Sequence, residues 1–476
     1  MIKPLYHISA LCLFMSSCSL SPHDALPLNV KADIYPDYSD VTMPCNIAPP
    51  TFALRDTTNH LSDLQAIFQS EGNQVVVGCN GEDGFCIPVD DWHNLASSFS
   101  KISVTIQGYD GNKWVEYDPF SITISEDSID SYLSYRLIEP GYEVWNEMGI
   151  YQRNLETYEE KAILTNKTND GGCMNCHSFC SHDASTMSLH LRKNNGGTYI
   201  VKNGKTQKLT PSPSFVYPSW HPHGKYIAYS QNDTKQMFHT TDINRIEVFD
   251  YTSDVVVYDT ETGETLTSPL LHSHSAFETF PSWSADGKTL YYCSADSADV
   301  PADYDKVHYS LCRINFDESA GTFGDKVDTI YNARTHGGSI SFPRESPDGK
   351  WLMYTHHGYG NFSIWHKDAD LWMQSTDFEH DASIMKLESP RTDSYHTWSS
   401  TGKWVVFSSR RDDGLYTRPF IMHWDGKTFT KPFAVPQCSA IHDKKLLKSY
   451  NIPEFTTNAF EARETLRNAV EQEDTP

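Results

Sequence analysis

Short runs of alternating apolar and polar residues, broken by turn-forming residues, fill most of this chain and predict β-strands rather than helices. In the first third, Gln74–Val77 and Lys101–Ile106 alternate in this way. A Tyr109-Asp110-Gly111-Asn112 turn then leads into Lys113–Tyr117 and Ser121–Ser125. Short strands at this spacing predict a small β-sandwich-like domain over residues 41–140. The stretch from Phe460 to Glu473 has the pattern of a short polar helix.

From about residue 215 one phrase recurs. It reads Pro218-Ser-Trp220-His-Pro-His-Gly224-Lys-Tyr-Ile-Ala-Tyr-Ser230, and returns around Pro281-Ser-Trp283 and Gly287, Pro343 and Gly349, and His396-Thr-Trp398 and Gly402. Each copy predicts a tight turn at its glycine, followed by a strand of alternating apolar and aromatic residues. The glycines are 63, 62 and 53 residues apart. A β unit repeating at such a period reads as a propeller blade, here with insertions at 231–250 and 296–308.

The phrase resembles that of TolB-like β-propellers, Pro-x-Trp-Ser-Pro-Asp-Gly-Lys, over roughly residues 190–440. His221, Ala285, Arg344 and Thr401 depart from it. The resemblance implies an all-β propeller of about six blades. Two blades must then be degenerate, with Met187–Thr210 (turning at Asn203-Gly204) and part of 410–440 as candidates. The expected organisation is a lipoprotein signal peptide at 1–17, a tether at 18–40, and the β-sandwich-like domain at 41–140. A connecting segment at 141–186, the propeller at 187–445 and a tail at 446–476 follow.

The leading residues change the compartment. One lysine, an apolar run from Ile8 to Met15, and Ser16-Ser17-Cys18 have the order of a secretory signal, and a cysteine at that place resembles a bacterial lipoprotein signal. The expectation is an exported periplasmic protein, membrane-anchored through lipidated Cys18. The apolar run is too short to span a bilayer. A net charge of −24 argues against a nucleic-acid partner. Tyr at 26 and Trp at 11 residues suit a β-rich exported protein. In an oxidising compartment Cys79–Cys86 and Cys293–Cys312 are the plausible local disulfides.

Cys173-Met174-Asn175-Cys176-His177 carries the most specific chemistry. Two thiols so spaced, followed by an imidazole, suit covalent attachment of one haem c, with His177 as proximal iron ligand. Gly171-Gly172 just before would let the backbone approach a flat macrocycle. Met187 is a possible distal ligand, alongside His182, His190 and Met148. Cys180 and His182 leave a zinc site open as the rival, and a plain disulfide with a surface histidine is the bland alternative. At the propeller mouth, Glu278, His336 and His396 could converge with other loop residues (His272, His274, His356, His357 and Arg344) on a ligand. No Gly-x-Ser-x-Gly, His-Glu-x-x-His, phosphate-loop or EF-hand pattern occurs, so hydrolase and kinase readings have no anchor.

The expected function is electron transfer by an exported, lipid-anchored c-type haem protein, with the propeller as a docking platform for a redox or envelope partner. The alternatives are a non-enzymatic envelope scaffold and a bare-metal (zinc) binding protein.

Overall fold

The computed structural model describes residues 20–55, 59–140, 146–193, 195–210, 214–378 and 384–472. Cys18 and the expected signal peptide at 1–17 lie outside the described residues. The expected all-β propeller is present, as six four-stranded antiparallel sheets. Blades 2 to 6 run in chain order from inner to outer strand. Their inner strands are Met174–Cys180, Phe215–Trp220, Ala276–Trp283, Ser339–Glu345 and Asp393–Trp398.

Blade 1 combines strands from both ends of the propeller segment. Tyr132–Ile138, Gly149–Asn154 and Glu160–Thr165 supply three strands, and Ser449–Thr456 returns to form the innermost one. That strand also abuts Asp393–Trp398 on one side and Met174–Cys180 on the other, so the ring closes without an open edge.

Segment by segment, the boundaries differ from those the sequence suggested. Residues 141–186 do not connect two modules; they hold the outer strands of blade 1 and the beginning of blade 2. Residues 446–476 are not a free tail, because they contain the closing strand. The following helix, Arg463–Glu471, buries Leu466 and Val470 against blades 1 and 2. Residues 187–210 and 410–440 are outer parts of blades 2 and 6. Asn203-Gly204 does form a turn, with both φ values positive. Residues 231–250 are no loop insertion: the hairpin Tyr226–Phe238/Ile246–Asp259 stays paired out to Phe238 and Ile246.

The repeated phrase has a physical explanation at each position. The glycine N–H groups of Gly224, Gly287, Gly349 and Gly402 close tight turns onto the carbonyls of His221, Ser284, Ser346 and Ser399. The Trp220 and Trp398 indoles donate to the Ser178 and Arg344 carbonyls of the preceding blades, so this tryptophan ties neighbours together.

Residues 26–125 form a seven-stranded sheet that forks at Lys101–Tyr109, together with a helix, Val89–Ser98, that the strand pattern did not announce. Trp92 and Leu95 of this helix join a core shared with Leu133, Trp404, Val406 and Phe455. The N-terminal module is therefore seated on blades 6 and 1.

Candidate functional site

Each inner strand carries a bulge at the same level. Its first residue takes a left-handed backbone: Ile452 (φ 53°), Cys176 (53°), Tyr217 (51°), Phe280 (51°), Phe342 (52°) and Tyr395 (52°). Strand pairing skips this residue and the next in every blade. A positive φ on a bulky residue is costly and persists only where the surroundings enforce it. Here the aromatic members enforce one another across the channel. Tyr217 and Phe280 have ring centroids 4.5 Å apart, Phe280 and Phe342 4.2 Å, and Phe342 and Tyr395 4.9 Å. They form a floor that blocks the channel.

The second bulge residue is proline in four blades (Pro218, Pro281, Pro343, Pro453) and histidine in two, His177 and His396. The Cys173–His177 stretch thus lies inside the repeat, with Cys176-His177-Ser178-Phe179 matching Tyr217-Pro218-Ser219-Trp220. Sequence comparison of those two lines could have found this.

Beyond the floor, the next position in the six blades carries Glu454, Ser178, Ser219, Ser282, Arg344 and Thr397. They line a polar cavity of about 180 Å³, walled by Phe179, Trp220, Trp283 and Trp398. Burial holds the Glu454 carboxyl up at about 8, while the Phe179 N–H donates to it at 2.9 Å. Burial also lowers the Arg344 guanidinium, and the Glu454 charge acts in the opposite sense on it.

His177 opens onto this cavity and is 2% exposed. Neither ring nitrogen reaches a hydrogen-bond partner, and burial, followed by Arg136, pushes the imidazole down to about 3. The Ile452 backbone lies close enough to offset part of that shift. His396 behaves alike: it is buried, without a bonded partner, and also down to about 3, chiefly through burial.

The residue types are those of a c-type haem site, but their arrangement in the closed ring leaves no seat for the macrocycle. Both thiols of the motif are free, and the imidazole is neutral and unpartnered. The space around them is tight. Cys173 lies in the core between blades 1 and 2 with Met148, Ile150 and Leu164, whereas Cys176 belongs to the channel floor, where burial raises its thiol. Neither thiol lines the cavity, and 180 Å³ is below the roughly 300–1,000 Å³ of ordinary ligand pockets. The close approach allowed by Gly172 is to protein: a Cβ there would sit 2.3 Å from the Arg192 carbonyl oxygen.

Of the candidate sixth ligands, His182 lines this cavity together with His177, and all four are engaged by other contacts. Met187 is in the interblade core and Met148 Sδ accepts from the Met174 N–H. His182 pairs with the Phe455 carbonyl and His190 with Thr198 Oγ1. The rival zinc set does not gather either. Cys180 turns to the next blade, 3.8 Å from the His221 carbonyl oxygen, and the cysteines of the motif form no metal-sized group among the described residues.

Glu278, His336 and His396 do not meet at one mouth. Glu278 is buried at the start of the blade 4 inner strand, its carboxyl raised to about 7 by burial. His336 is on the surface at the end of the short helix Ala333–His336. Arg344 is the one mouth candidate that lines the cavity.

The two disulfides suggested by spacing are absent. Cys293 and Cys312 sit on adjacent strands, but Cys312 pairs with Tyr292, so the Cys293 side chain points to the opposite face of the sheet. Cys79 and Cys86 are likewise free, and Cys86 faces the Cys438 carbonyl at 3.7 Å.

No protein-family model and no curated protein matches this chain. Solved structures similar in fold include an oligogalacturonate lyase in complex with manganese (12% identity, TM-score 0.37, covering 65% of this chain and 74% of the lyase). A prolyl endopeptidase is similar at 9% identity and a TM-score of 0.34, covering 64% of this chain and 49% of that one. An ancestral GH74 enzyme is similar at 10% identity and 0.28, covering 90% and 63%. These similarities concern the β-propeller fold alone.

Proposed function

We propose that this chain is an exported, lipid-anchored c-type haem protein that transfers electrons, its propeller serving as the docking platform for a redox partner. The observation that carries this reading is the joint presence, in Cys173–His177, of two free thiols and a buried neutral imidazole without a bonded partner. A buried, unpaired polar group is costly, and an iron bond would relieve that cost at His177. Haem, when bound, supplies the one-electron chemistry. The chain would hold the ring nitrogen of His177 unprotonated through burial, keep water away with Phe179 and Trp220, and set the local charge with Arg344 and Glu454.

The size of the closed channel adds a condition. The closed channel has no room for the macrocycle, so haem attached through Cys173 and Cys176 would have to hold the inner strand of blade 2 away from the closed ring. Chain exported alongside haem-maturation machinery should therefore carry covalent haem. Folded, haem-free protein mixed with haem should not acquire it.

A second reading is a haem-free envelope scaffold that binds a small polar ligand over the aromatic floor. His396 favours it, because a buried, unpartnered imidazole recurs there with no cysteine pair in its strand. A denaturing gel stained for haem separates the two. Colour that is lost in Cys176→Ala supports the first, and colourless exported protein supports the second.

A further inference from the structure

In blades 4, 5 and 6 the tight turn of the repeat is closed by two side chains two residues apart. Ser284 Oγ meets Asp286 at 2.8 Å, Ser346 Oγ meets Asp348 at 2.6 Å, and Ser399 Oγ meets Thr401 at 3.0 Å. Blade 3 places His221 and His223 at those two positions. A geometry that makes two side chains converge is thus furnished with two imidazoles.

A carboxylate arrives from the neighbouring blade. Glu318 follows the strand Ser310–Asp317 and reaches across with both oxygens. His223 Nδ1 is 2.7 Å from Oε2, and His221 Nδ1 is 3.7 Å from Oε1. One donor atom from each of the three side chains lies within 4.8 Å of the others. Donors in a tetrahedral zinc site stand roughly 3.3 Å apart, so small side-chain adjustments suffice.

The supporting contacts are those that orient a metal ligand. His221 is fully buried, and its Nε2 lies 3.1 Å from the Gly287 carbonyl. A carbonyl only accepts, so Nε2 carries the proton and Nδ1 presents its lone pair toward Glu318. Trp283 holds the ring edge-on, with centroids 5.0 Å apart. Gly287 leaves room for it: a Cβ there would fall 2.1 Å from His221 Nε2. The backbone N–H of His223 also faces His221 Nδ1, at 3.3 Å. A cation would displace that weak contact and also the 2.7 Å hydrogen bond that His223 Nδ1 donates to Glu318, the Nδ1 proton passing to solvent.

We propose that His221, His223 and Glu318 form a binding site for a divalent transition cation of the zinc class, bridging blades 3 and 4. Two imidazoles and one carboxylate favour zinc, nickel or copper over magnesium or calcium. The exposure of His223 and Glu318 leaves further coordination positions to water or to a partner's side chain. This site is separate from the channel and does not depend on haem.

The test is zinc titration of chelator-treated full chain by calorimetry, with His223→Ala, Glu318→Gln and the double variant alongside. Both altered side chains are accessible, and far-ultraviolet circular dichroism checks that the variants stay folded. Native protein should bind one equivalent that the double variant lacks, each single change weakening it at least about tenfold. Cobalt substitution reads the ligand type. The difference spectrum between native and double variant should show d–d bands without thiolate charge transfer. Equal zinc uptake by native and double variant, or a thiolate band in the difference spectrum, overturns the assignment.

Discussion

Replacing His396 by proline should stabilise the protein. The position is the second residue of the blade 6 bulge and is skipped by the ladder, which pairs Ser394 with Ser408 and Thr397 with Val406. No ladder hydrogen bond is therefore lost. Four other blades carry proline there, each after a residue with φ of 51–53°, and Tyr395 has 52°. Proline in a compatible position stabilises by roughly 0.4–1 kcal/mol through the unfolded chain. Removing a buried imidazole with two unbonded nitrogens relieves a further ~1–3 kcal/mol. The nearby Met353 backbone, which partly offsets the His396 shift, takes something from the second contribution. A net gain of about 1–3 kcal/mol is expected. Urea unfolding at pH 7.5, followed by tryptophan fluorescence, reads it as a higher midpoint at unchanged slope. A loss of 1 kcal/mol or more would refute the equivalence of the six bulges. His177→Pro is the matched companion. In haem-free protein it should stabilise as His396→Pro does, whereas in haem-loaded protein it should abolish the native Soret band.

Four further outcomes follow from the same geometry. Both buried histidines have folded values near 3, well below the usual 6.5, so the stability they support is present above pH 6.5 and lost as pH falls. Each should cost about 2 kcal/mol between pH 6.5 and 5, and the double proline variant should lose that acid sensitivity in urea titrations. Glu454 has the opposite sign: its carboxyl is raised from 4.5 to about 8, so the fold loses stability as pH rises between those values, and the gain from Glu454→Gln should grow over that range and level off above it. Deleting residues 449–476 removes the inner strand of blade 1, and size-exclusion chromatography should show loss of the native peak; a compact, cooperatively unfolding product would contradict ring closure. Finally, Cys293 and Cys312 should both react with a thiol reagent in unreduced, denatured protein, and a peptide cross-linked through them would contradict the strand register.

Four blades were legible because a glycine turn and a strand that must bury aromatic residues constrain sequence strongly. The other two escaped for identifiable reasons. In blade 2 the turn uses Ser181 and His182, both with positive φ, in place of Asp-Gly, so the phrase loses its punctuation. In blade 1 the inner strand comes from the far end of the chain and needs no turn at all. The helix Val89–Ser98 was missed because its apolar residues, Trp92, Leu95 and Ala96, are too few to stand out against the strand pattern around them. At the site, the cysteine–histidine motif could be read as chemistry, but its place in the repeat could not. A bulge constrains backbone shape more than side-chain identity, so Cys-His and Tyr-Pro occupy it interchangeably. Glu454 and Arg344 were not expected to share a cavity, since only ring closure brings positions 110 residues apart to one level.

The proposed function requires porphyrin bonded to Cys173 and Cys176. The most direct measurement is the reduced-minus-oxidised spectrum of unfolded, solvent-extracted protein that was exported together with a haem-attachment system. One haem per chain should survive extraction, and none in Cys173→Ala/Cys176→Ala. Extracted protein without absorbance, from cells that attach haem to a control cytochrome, would contradict it.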